Sequence, residues 1–105
     1  MPNVIDELNE ALVQAGKIPS DIKWLTIRQC RYDNKNPIAL PPTGGEAGYL
    51  QALFLFTDVE YDDGWGTQEL DGIVVFTDCS WLERGEYDGS EWWEYRTTPS
   101  ITDYL

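Results

Sequence analysis

The chain has 105 residues, 42% of them hydrophobic, with five Trp, six Tyr and three Phe; nineteen Asp and Glu against seven Lys and Arg give a net charge of -12. A chain of this size suits a single domain, residues 1–105, with enough apolar material to offset the entropy of ordering it. Its field disfavours direct binding to nucleic acid or anionic membrane, and the absence of histidine removes the usual neutral-pH base and the commonest zinc ligand.

The opening segment carries Asp6, Glu7 and Glu10, where a secretory signal would be basic and then apolar. No run approaches the ~20 apolar residues of a membrane span, so a soluble, cytoplasmic protein is expected. Val4, Ile5, Leu8, Ala11, Leu12 and Ala15 recur at helical spacing. Asn3 caps this predicted helix, Asp6 and Glu7 sit in its first turn, and Gly16 stops it, with Pro19 beyond. Its polar face, with Asp6, Glu10 and Gln14, reads as solvated.

From Ile22 to Tyr32 the period becomes two, with Trp24, Thr26, Arg28 and Cys30 on one side and Leu25 and Ile27 on the other, which predicts a strand. Asp33–Gly48, rich in Asn, Pro and Gly, reads as a long surface loop. Tyr49–Val59 and Leu70–Thr77 are apolar on alternate and intervening positions, as in strands covered on both faces. An antiparallel pair joined through the Gly- and Asp-rich Tyr61–Glu69 is the simplest arrangement. Ser80–Tyr87 and Glu91–Arg96 flank Asp88-Gly89, a strong hairpin signal. The elements together predict an α+β domain, one N-terminal helix on a mostly antiparallel sheet of about five strands. Phe54, Phe56, Ile73, Val75 and Leu25 form its expected core.

Motifs for chemistry are few. Cys30 and Cys79 match no metal or redox spacing and read as reduced, largely packed thiols. Asp58, Glu60, Asp62 and Glu69 imitate the acidic positions of a calcium loop, but Asp63 stands where its glycine belongs, so a charged turn is expected. No catalytic residue, cofactor or metal is expected. The acids beside Trp81, Trp92 and Trp93 leave a small carbohydrate-binding domain as an alternative.

Phe76–Arg96 interleaves three Trp and two Tyr with acids. Aromatics make interface hot spots, and carboxylates pair with Lys and Arg across an interface. If Trp81, Trp93 and Tyr95 form the core side, the acids and Trp92 remain outside, since alternation cannot bury both Trp92 and Trp93 on one face. The expected partner-binding residues are Glu83, Glu86, Asp88, Glu91, Trp92 and Glu94, with Asp62 and Asp63 of the preceding turn. The expected partner is a basic protein surface.

Within this segment, Asp78–Tyr95 resembles a stretch in small proteins of phages and mobile elements, an Asp-x-Ser/Thr-Trp hairpin followed by Tyr-Asp-Gly-Ser-Glu-Trp-Trp. The resemblance implies that genomic setting and the broad class of acidic anti-CRISPR and anti-restriction inhibitors. Some of these imitate nucleic acid. The class has no common motif, so no residue role is carried over. An inhibitor of a host nuclease or CRISPR complex is expected, with an accessory protein binding through the aromatic hairpin as the alternative.

Overall fold

The computed structural model describes residues 3–29, 38–59, 69–87 and 90–99. It is an α+β fold: α1 (Val4–Gln14), β1 (Ile22–Gln29), β2 (Ala39–Gly44), α2 (Gly45–Phe56), β3 (Leu70–Phe76), β4 (Trp81–Tyr87) and β5 (Ser90–Arg96). The strands form one antiparallel sheet in the order β2-β1-β3-β4-β5.

The N-terminal helix forms as its sequence dictates. Asn3 Oδ1 accepts from the N–H groups of Ile5 and Asp6 at 3.0 and 3.1 Å, satisfying donors that the first turn leaves unpaired. At the other end Gly16 adopts φ +70, and the N–H groups of Gly16 and Lys17 return to Val13 O and Leu12 O. A side chain at Gly16 would be strained by that backbone. Val4, Ile5, Leu8 and Leu12 are buried.

The second helix overturns two expectations. Tyr49–Val59 is not a strand: Gly45–Phe56 is helical, and β3 pairs with β1 and β4 instead. Asp33–Gly48 is not one loop either, since it contains β2 and the start of α2; residues 33–37 lie outside the described set. An unbroken apolar run shows no period by which helix and strand could be told apart. Gly45, at φ +63, makes the sharp entry into α2. A Cβ on Gly48 would stand 2.7 Å from both Leu25 Cδ2 and Thr43 O, so this glycine lets the helix lie close on β1 and β2. Pro41 and Pro42 fall in β2, at the sheet edge, where a missing N–H costs little.

Both helices cover one sheet face. Leu25 and Ile27 of β1, Leu40 of β2, Leu70, Val74 and Phe76 of β3 and Leu82 of β4 meet α1 and Ala52 and Phe56 of α2. Of the expected core, Leu25 and Phe56 are fully buried, but Phe54 is 86% exposed. Two residues along a helix turn through about 200°, so Phe54 and Phe56 face opposite ways. Ile73 and Val75 are half-buried on the other sheet face, out of phase with Val74 and Phe76. The two helices run antiparallel, tied by Asn3 Nδ2 donating to Thr57 O, Val4 N–H to Val59 O, and Tyr49 Oη to Asn9 Oδ1.

Candidate functional site

The β4–β5 hairpin forms as expected, with Leu82 opposite Tyr95, Glu83 opposite Glu94, Gly85 opposite Trp92 and Glu86 opposite Glu91. Opposed residues share a face, so the register splits the expected acidic face in two. Glu91, Trp93 and Tyr95 join Leu82 and Arg84 on the helix-covered side. Trp81, Glu83, Tyr87, Trp92 and Glu94 take the open side. The expectation that Trp81 joins Trp93 and Tyr95 on the core side is thereby corrected.

Glu91 was expected at the interface and is instead a buried structural acid. Its side chain and that of Arg84 are both fully buried and paired at 3.0 Å. The carboxylate also accepts from the N–H groups of Glu69 at 2.7 Å and Leu70 at 3.0 Å. Arg84 reaches Glu7 of α1 and stacks 5.0 Å above the Trp93 ring. A buried carboxylate needs this many partners to offset its lost hydration. The network ties hairpin, helix and the start of β3 together.

The open face has no helix over it among the described residues. Trp24, Thr26, Ile73, Val75 and Trp81 are half-buried there, and Trp92 is 40% exposed. Its charges are answered locally: Arg28 pairs with Asp71 at 3.6 Å, and Arg96 with Glu83 at 3.0 Å and Glu94 at 3.2 Å. Glu83 and Glu94 thus share the open face with Trp92, each already paired with a cation. Glu86 is exposed. Asp62, Asp63 and Asp88 lie outside the described residues, as does Cys30; Cys79 is free and exposed, not packed.

Unanswered charge lies on the helical layer, of which the sequence reading covers only the polar face of α1, as solvated. Asp6 and Glu10 on α1, Glu46 in the first turn of α2 and Asp58 just past its end are exposed and make no ion pair among the described residues. Between the α2 acids, Leu50 and Phe54 are exposed at 60% and 86%. Their four-residue spacing puts them on one stripe, a signal that would have been legible had the segment been read as helical.

Lys17 forms a further ion pair with Asp78 and lies 5.5 Å over the Phe76 ring. Asp78 also accepts from the Ser80 N–H at 3.0 Å and from its hydroxyl. The Lys17 ammonium, then the Ser80 donors, hold the Asp78 carboxyl well below the usual range, and Asp78 in turn raises the Lys17 pKa. This pair fastens the end of α1 to the β3–β4 turn. Among the described residues no three Cys, Asp or Glu converge as a metal site, and no helix is long and apolar enough to cross a membrane. No family model, curated protein or solved structure matches the chain.

Proposed function

We propose that this is a non-enzymatic binding protein that occupies a basic, nucleic-acid-holding surface of another protein, acting as an inhibitor. The observation that carries the reading is the division of charge. Among the described residues four of the five cations, Lys17, Arg28, Arg84 and Arg96, are consumed by internal carboxylates. Asp6, Glu10, Glu46 and Asp58 on the helical layer are left for a partner, with Leu50 and Phe54 between the two α2 acids as apolar anchors. Clustered like charge steers association with the opposite sign, and exposed aromatics anchor the complex once formed. The likeness of Asp78–Tyr95 to phage and mobile-element proteins supports a host nuclease or CRISPR complex as the target.

The test is association kinetics with a partner captured from host extract. Asp6→Asn, Glu10→Gln, Glu46→Gln and Asp58→Asn together change the net charge from -12 to -8, four acids being neutralised. The on-rate should fall about tenfold in this variant, and likewise for the unaltered protein between about 50 and 500 mM salt. An on-rate indifferent to both refutes the reading. The exposed Trp92 and Tyr87 favour a second one, an accessory protein docking through the open sheet face, whose affinity would persist in salt.

A further inference from the structure

We infer that the outer edge of β5 and the groove between it and α1 form a binding site for an extended, basic peptide segment, which joins the sheet as a sixth strand. The two sheet edges differ. At one end β2 carries Pro41 and Pro42, which cannot donate to a further strand. At the other, β5 pairs among the described residues with β4 alone and holds seven residues without proline. Its outward N–H and C=O groups meet no other strand among the described residues. An unpaired edge of this length is a template for strand addition.

Beside that edge runs a groove whose far wall is α1. Glu7, Glu10, Ala11 and Gln14 line it from the helix, and Trp92 and Trp93 from the strand. Positions 7, 10, 11 and 14 fall on one helical stripe, so the wall is continuous over two turns. A strand laid on β5 would point alternate side chains toward that wall. Glu7 and Glu91 are engaged by Arg84, which leaves Glu10 to receive a cation and the Trp faces to cover its aliphatic stem.

Charge selects the occupant. A second copy of this chain would bring the same net charge of -12, whereas a Lys-bearing strand finds complementary charge at Glu10. The inference shares with the proposed function Glu10 and the sign of the partner's charge, but its affinity rests on backbone pairing.

A labelled heptapeptide of alternating Lys and Val, added to the full chain and followed by fluorescence anisotropy, tests it. The control is the same peptide with every backbone amide N-methylated, which keeps the charge and removes the donors. Losing even two or three backbone hydrogen bonds should weaken binding about tenfold or more. Amide hydrogen exchange should slow over Ser90–Arg96 when the unmodified peptide binds, and Glu10→Lys should weaken binding more than Glu46→Lys. Equal binding of the two peptides would overturn the strand-addition site while leaving the acidic-surface reading intact. No binding by the unmodified peptide, or protection of β5 in concentrated protein alone with formation of a dimer, would also overturn it.

Discussion

Phe54 and Phe56 separate a helical from an extended course of the chain by stability alone. In a strand the two rings share a face; in α2 one is fully buried and the other 86% exposed. Phe56→Ala empties a core position beside Ala52, and on the large-to-small scale this costs about 3–5 kcal/mol. For a domain of this size that lowers the melting temperature on the order of 15 °C. It removes a large part of a total that is typically ~5–15 kcal/mol. Phe54→Ala deletes a ring that is mostly in water, and its cost should stay within about 0.5 kcal/mol. Urea titration followed by tryptophan fluorescence gives both values. Should Phe56→Ala fail to fold, Phe56→Leu keeps the comparison, at about 1–1.5 kcal/mol. Equal destabilisation by the Phe54 and Phe56 substitutions would refute the helical assignment and the apolar anchor built on it.

Gly48→Ala should destabilise by about 1–3 kcal/mol, because its Cβ meets Leu25 and the Thr43 carbonyl; at an exposed helix position the same change would stabilise, and a urea midpoint gives the sign. Glu91→Ala strips a buried partner from Arg84 and an acceptor from two N–H groups and should cost about 3–5 kcal/mol, whereas the exposed Glu86→Lys should cost little, as thermal melts of the two would show. For the Lys17–Asp78 pair, the depressed Asp78 pKa contributes stability that is present above the unfolded carboxyl value of about 4 and is lost as pH falls through the folded value. The Asp78→Asn variant should therefore melt below the unaltered protein at neutral pH, and the gap should close as the medium is acidified below about pH 4.

What the sequence made legible was local. Asn3, Gly16 and the apolar stripe delimit α1 because each satisfies or terminates backbone bonding within a few residues. Asp88-Gly89 between aromatic strands marks the last hairpin for the same reason. The α2 segment lacked such a signal: its apolar run has no period, since Phe54 and Leu50 stand in solvent while Ala52 and Phe56 are buried. The absence of β-branched residues from Gly45 to Phe56 was the available hint. β2 was hidden by Pro41 and Pro42, which a strand tolerates only at an edge, and edges are a property of the sheet. Glu91 looked like a surface acid because parity along β5 does not say which face the helices cover. Arg84, the one cation between Trp81 and Tyr95, was the clue that an acid there would be drawn inward. Charge division between the two faces depends on pairs formed across strands and had no sequence signature.

The measurement that bears most directly on function is displacement of labelled nucleic acid from the captured partner, followed by fluorescence anisotropy at low salt. Stoichiometric addition of the unaltered protein should release the nucleic acid. The variant neutralised at Asp6, Glu10, Glu46 and Asp58 should release much less. A partner that binds this protein through its helical layer and still holds its nucleic acid would contradict occupation of the basic surface.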